Sequence, residues 1–168
     1  MIKKVDRNYL EIFSIRDLKE VEAPQKNCSI ILLNSIDFQI NKFFYKNVGK
    51  NHHWVDRLSW SEKQWIDYSS DKKIKTYILK VNDDLAGYYE LIFHNENNEV
   101  EIAFMGLLEE YHNKKLGSYL LSSAIKNSFI NNNIDRTWVH TCSLDHKNAL
   151  NNYIARGMKI YKKETILV

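Results

Sequence analysis

The chain has 168 residues, 44% hydrophobic and 27% charged, with a formal net charge of +3. That length suits one globular domain with its own core, and so mild a charge argues against nucleic-acid or membrane partners. No apolar run reaches the roughly 20 residues of a membrane span, the opening MIKKVDRNYLEIF lacks the apolar segment of a signal peptide, and two cysteines without metal-site spacing, Cys28 and Cys142, fit a reducing, cytoplasmic setting.

Residues 9–15 alternate enough for a short strand, and 17–27, with the single proline Pro24, read as a connection. Ser29 to Leu33 is a compact apolar run expected to be a buried strand. Ile36, Ile40, Phe43 and Phe44 share a helical face, which predicts a helix over 36–47 ended by Gly49. Ser61 with Gln64 is a capping-box pattern, and Trp60 with Trp65 makes its hydrophobic staple, so a second helix is expected from 62 to about Ser70.

Three strands follow, 76–81, 85–94 and 99–107, joined by the turn residues Asn82-Asp83-Asp84 and by 95–98. Leu116, Leu120, Leu121, Ala124, Ile125 and Phe129 form an apolar stripe that predicts a helix over 115–130. Arg136 to Cys142 reads as a strand, Asp145 as the cap of a helix over 146–156 ended by Gly157, and 159–168 as a closing strand.

The chain turns on EVEIAFMGLLEEYHNKKLGSYLL, Glu99 to Leu121, a strand, a polar loop and the start of a long helix. The first N–H groups of a helix have no intrahelical partner, and the helix dipole adds positive potential there. With Gly117 for close approach and Lys114 and Lys115 for charge, the loop suits phosphate; an ordinary strand–helix connection with a solvated basic turn is the competing interpretation.

This stretch resembles motif A of the GNAT superfamily, the acetyl-CoA-dependent N-acetyltransferases, whose pattern is Arg/Gln-x-x-Gly-x-Gly/Ala. The marked positions fall on His112, Lys115 and Gly117, and only Gly117 matches. A second block of the family, Asn-x-x-Ala-x-x-x-Tyr-x-x-x-Gly-Phe with variable spacing, is similar to NALNNYIARGM, with Asn148, Tyr153 and Gly157 in place and Met158 where Phe is common.

The resemblance covers 29–168 and implies an α/β (α+β) single domain over 1–168: a mixed, mostly antiparallel twisted sheet flanked by about four helices. Residues 1–28 then read as an N-terminal extension, an added edge strand.

It also implies acetyl-CoA as acyl donor, no metal, and a primary amine, on a small molecule or a peptide, as acceptor attacking directly in a ternary complex. The pyrophosphate falls to His112, Asn113, Lys114, Lys115, Leu116, Gly117 and Ser118. The pantetheine arm falls to the backbone of Met105, Gly106 and Leu107, as an added strand would pair, and to the Asn148 side chain. Tyr153 is expected to protonate the leaving thiolate; otherwise it is an amphipathic helix residue with its tip in water. Glu101 resembles the strand glutamate some members use as base, with Glu99 on the same face and water as alternatives.

His140 is a further candidate base and Cys142 a candidate wall, or both are core residues. In HHWVDRLSW, 52–60, Trp54 and Trp60 can line an acceptor pocket, with Asp56 holding an ammonium or Arg57 a substrate carboxylate; a structural aromatic cluster with an Asp56–Arg57 surface pair is equally consistent. Adjacent His52 and His53 do not converge on one metal. Family members often dimerise, which makes a homodimer an expectation. A GNAT-fold module that binds acyl-CoA without turnover is the alternative function.

Overall fold

The computed structural model describes residues 2–34 and 37–168, so the expected helical contribution of Ile36 lies outside the described residues. The elements in order are β1 (Lys4–Ile12), a 3-10 turn (Ile15–Asp17), β2 (Cys28–Leu32), α1 (Phe38–Gly49), α2 (Glu62–Ser70), β3 (Ile74–Val81), β4 (Asp84–His94), β5 (Glu99–Leu107), a second 3-10 turn (Glu109–Tyr111), α3 (Leu116–Phe129), β6 (Arg136–Cys142), α4 (Ala149–Ala155) and β7 (Lys159–Leu167). They form one seven-stranded sheet in the order β2-β3-β4-β5-β6-β1-β7.

Every neighbouring pair is antiparallel except β5 and β6, which run parallel. That pairing is short: Glu99 to Glu101 against Arg136 to Trp138. Beyond it the two strands part. β5 also carries an extra residue, Ala103, against β4, where Glu90 faces Phe104 and Leu91 faces Ile102. A bulge bends its strand and re-aims its side chains, here at the point of separation.

Successive strand residues point to opposite faces, and both faces are used. Leu79, Tyr89, Leu91, Val100 and Ile102 pack with Leu116, Leu120, Leu121, Ala124 and Ile125 of α3 and with Tyr153 of α4. Ile78, Tyr88 and Leu108 pack with Phe44 and Val48 of α1 on the other face. α2 begins with the anticipated capping box, Ser61 Oγ accepting from Gln64 N at 3.2 Å and Gln64 Oε1 from Ser61 N at 2.8 Å. The Trp60 and Trp65 rings meet edge to face at 5.0 Å.

Four expectations need correction. The apolar run 29–33 is not a buried strand: β2 is at the edge of the sheet, with Ile31 and Leu32 exposed. The first strand spans 4–12 rather than 9–15, because Ser14 Oγ accepts from Arg16 N at 3.1 Å and starts a 3-10 turn. β1 is not an edge strand: it lies between β6 and β7, with Val5, Leu10 and Ile12 buried. Asp145 does not cap α4; its Oδ2 accepts from Thr141 Oγ1 at 2.6 Å and from Cys142 N at 2.9 Å, and α4 starts only at Ala149.

Candidate active site

Where β5 and β6 separate, a cavity of about 1060 Å³ opens. Its walls come from the end of β5, the start of α3, the β6–α4 loop, α4, the α1–α2 loop, β1 and the end of β7. A volume at the upper end of the usual ligand range suits an elongated molecule or two ligands side by side.

One end is the β5–α3 loop. Lys115 takes a left-handed conformation, φ 61° and ψ 14°, and no side chain caps α3. Asn113 is left-handed too, at φ 59°. The first N–H groups of α3 have no intrahelical partner, and Asn113, Lys115, Leu116, Gly117 and Ser118 all line the cavity. Gly117 is explained by neither strain nor packing: a Cβ there would meet only Asn152 Nδ2, at 3.9 Å. The missing side chain leaves open space above the first turn, which is what a diphosphate needs in order to approach backbone amides.

His112 lies against the same loop, its Nε2–H donating to Leu107 O at 3.1 Å. His146 approaches it edge to face at 5.3 Å and accepts at Nδ1 from Asn148 N, which leaves its proton on Nε2. Desolvation, then the neighbouring His112 and His52, hold the His146 imidazole below its ordinary value.

Tyr153 lines the cavity and is 7% exposed. Its hydroxyl makes no hydrogen bond among the described residues. Burial, with Asp145 adding to it, raises the phenol well above its ordinary 10.0, so Oη keeps its proton. Asn152, one turn away from Asn148 on the same segment, donates from Nδ2 to Gly117 O at 3.1 Å and has a buried Oδ1 without a partner among the described residues. Asn148 makes no capping bond with its side chain, which stays available to the cavity.

Glu101 lines the cavity, while Glu99 is held by Arg136 Nη2 at 3.0 Å and lies outside. The register puts Glu101 beside Trp138, and His94 Nε2–H donates to its Oε2 at 2.9 Å, leaving Oε1 for other partners. His140 and Cys142 follow along the same face of β6, and both line the cavity. Desolvation, then the charge of Arg7, lowers the His140 pKa and keeps that ring neutral near pH 7. Trp54 packs edge to face on Phe104 at 4.8 Å, and exposed Asp56 faces the same space.

Most of the anticipated residues therefore meet in one place: Trp54, Asp56, Glu101, Met105, Gly106, Leu107, His112, Asn113, Lys115, Leu116, Gly117, Ser118, His140, Cys142, Asn148 and Tyr153. Three do not. Lys114 turns to Tyr111, its Nζ 5.5 Å from the ring. Trp60 packs on Trp65 and Tyr68. Arg57 is 7% exposed, its Nη1 donating to the fully buried Glu90 at 3.1 Å, with Tyr68 and Phe104 stacked on it. It is a core cation, neither a surface pair nor a substrate ligand.

Arg7, Asn152 and His146 line the cavity without a sequence signal that pointed to them; the amide spacing Asn148-x-x-x-Asn152, one turn of helix, was the nearest hint. Among the described residues, no group of three or more His, Cys, Asp or Glu is placed to hold a metal, and no helix is long and apolar enough to cross a membrane.

Comparison with known proteins gives three results. No curated protein matches the chain in sequence. Solved structures share its fold. A functionally unknown conserved protein from Staphylococcus epidermidis has TM-score 0.68 at 17% identity, covering 99% of this chain and 62% of its own. GCN5-related N-acetyltransferases from Kribbella flavida (0.68, 12%, covering 99% and 58%) and Sphaerobacter thermophilus (0.70, 10%, covering 97% and 50%) are similar. The chain thus spans between half and somewhat over three-fifths of the length of these proteins. The family model described as acetyltransferase (GNAT) family matches residues 37–158, from the start of α1 to the end of the Tyr153 segment, and with these motifs around one cleft the chain belongs to the GNAT acetyltransferase family.

Proposed function

We propose that the protein transfers an acetyl group from acetyl-CoA to a primary amine. The observation that carries this is the pairing, in one cavity, of an open glycine at the start of α3 with an unpartnered, firmly protonated tyrosine where β5 and β6 part. Acetyl-CoA supplies the acetyl group as a thioester, already activated for acyl transfer.

The residues divide the work. The first-turn amides of α3, Gly117 and Lys115 hold the diphosphate as a helix start holds any phosphate. The side of β5 that β6 leaves unpaired beyond Glu101 offers backbone groups to the amides of the pantetheine arm. Asn148 and the unpaired Oδ1 of Asn152 add side-chain contacts from α4. Tyr153 Oη holds a proton that a departing thiolate takes. Glu101 Oε1, or a water it orders, removes a proton from the acceptor ammonium, and His94 keeps that carboxylate in place. Trp54 and Phe104 shield the acceptor side from solvent.

The test begins with calorimetric titration of acetyl-CoA into the wild type and Gly117→Glu. Micromolar binding by the wild type that is lost in the variant supports the assignment of the α3 loop; no binding by the wild type overturns the reading. Thiol release with a panel of amines follows. Tyr153→Phe is expected to bind acetyl-CoA normally and to lose about 10²- to 10⁴-fold in kcat. Binding without release of thiol from any amine would favour the alternative, an acyl-CoA-binding module, for which Lys115 and His112 in motif A are the specific sequence argument.

A further inference from the structure

We propose that Arg7 is the carboxylate anchor of the acceptor end of the cavity, so that the acceptor is an amine that also carries a carboxylate. The proposal rests on the acetyltransferase reading above and adds the substrate class to it.

Arg7 reaches the site because β1 is inserted into the sheet. The register sets it opposite Cys142 of β6 on one side and Glu164 of β7 on the other. It shares a face with Tyr9, which is opposite His140. Arg7, His140, Cys142 and Ile166 all line the cavity. β1 lies outside the segment that the family model matches.

The guanidinium is poorly matched within the protein. Its Nη1 donates one long hydrogen bond to Tyr9 Oη at 3.5 Å and makes a loose ion pair with Glu164 Oε1 at 3.8 Å. Glu164 already has closer partners: Tyr9 Oη donates to Oε1 at 2.6 Å, and Lys162 Nζ lies 3.1 Å from Oε2. Arg7 Nε is buried and has no partner among the described residues. An arginine presents five N–H donors in a planar fork that fits a carboxylate bidentately. Nε is closed off from the cavity, but the side chain is 28% exposed, and its loosely held terminal nitrogens are the donors a ligand carboxylate can engage.

Arg136 and Arg156 also have a buried Nε without a partner among the described residues, but neither lines the cavity, and nor does Arg57. Arg57 pairs with Glu90, and Arg136 bridges Glu11 and Glu99. Among the described residues Arg7 is the arginine that lines the cavity, which Asp56 and Glu101 line as well. Opposite charges at separate points complement a zwitterion better than a simple amine. The Arg7 charge is felt inside the cavity, since it helps depress the pKa of His140.

The test measures kcat and KM for a series of ω-amino acids of increasing length against their primary amides, using wild type, Arg7→Gln, Arg7→Lys and Glu164→Gln. The wild type is expected to favour the best acid over its amide by about 10- to 100-fold in kcat/KM, the range for hydrogen bonds to a charged group. Arg7→Gln should abolish the preference through KM and leave the amides unchanged. Arg7→Lys should keep part of it, and Glu164→Gln should retain it. Turnover of acids and amides alike by the wild type overturns the Arg7 assignment alone, and so does an Arg7→Gln loss that is equal for both. If no amine is acetylated while acetyl-CoA still binds, the transferase reading fails and the acceptor assignment falls with it.

Discussion

Lys115 occupies a backbone position that side chains avoid. A left-handed residue with a Cβ costs roughly 1–2 kcal/mol, and Lys115 sits there at φ 61° without a side-chain bond to offset it. Lys115→Gly should therefore raise the stability of the unliganded protein by about 1 kcal/mol, seen as a melting temperature about 2–4 °C higher. An unchanged or lower value would mean that the lysine makes compensating contacts. The residue tolerates the strain where its N–H and charge serve the loop, a common trade at binding sites. Tyr153 presents a second single-residue consequence. Burial raises its pKa above the ordinary 10.0, so the proton-donating form persists to higher pH than for a free tyrosine. The kcat profile should then stay flat on its alkaline side through pH 10.0, where an unperturbed tyrosine would be half ionised. A fall centred below that point would assign the donated proton to another group.

The α1–α2 loop that supplies Trp54 and Asp56 has no regular structure of its own, and a buried polar network fixes it. Glu90 of β4 accepts from Asn41 Nδ2 at 2.9 Å, Arg57 Nη1 at 3.1 Å and Tyr68 Oη at 2.6 Å. Burial and the Glu90 carboxylate push the Tyr68 phenol up, so it remains a donor. Removing one partner leaves a buried charge exposed to apolar surroundings, at about 3–5 kcal/mol, whereas replacing both with apolar groups can be nearly neutral. Arg57→Met should destabilise by that amount and raise the acceptor KM, while Arg57→Met with Glu90→Leu should recover most of the melting temperature. Equal losses in the single and double variants would refute the network. The case also marks where sequence reading stops. The capping box of α2 and the bounds of β5 and β6 were legible because their causes are local: a side chain three residues away, or a period of two. Arg57 was misread, as a ligand for a substrate carboxylate or half of a surface pair with Asp56, whereas it is buried against Glu90. That Glu90 would be its partner was not legible, because 33 residues separate them.

At the scale of the molecule, the least legible feature is the position of β1. Its alternation announces a strand, but nothing local says that it will separate β6 from β7. Leu10 pairs with Val139 and Ile160, both far along the chain. Such pairings carry a large loop-closure cost and form only when the rest of the sheet rewards them. The cleft depends on this insertion. With β6 paired to β1 on its far side, β6 can diverge from β5 without losing all its ladder partners. An edge strand and an interior strand respond differently to one substitution. Leu10 of β1 is fully buried in the main core cluster, so Leu10→Ala should cost about 2–5 kcal/mol by denaturant melting, as for any core leucine. An appended edge strand would fray locally, and the same change would cost well under 1 kcal/mol. The larger loss, accompanied by weakened acceptor turnover as Arg7 shifts, is the result expected if β1 belongs to both the core and the site.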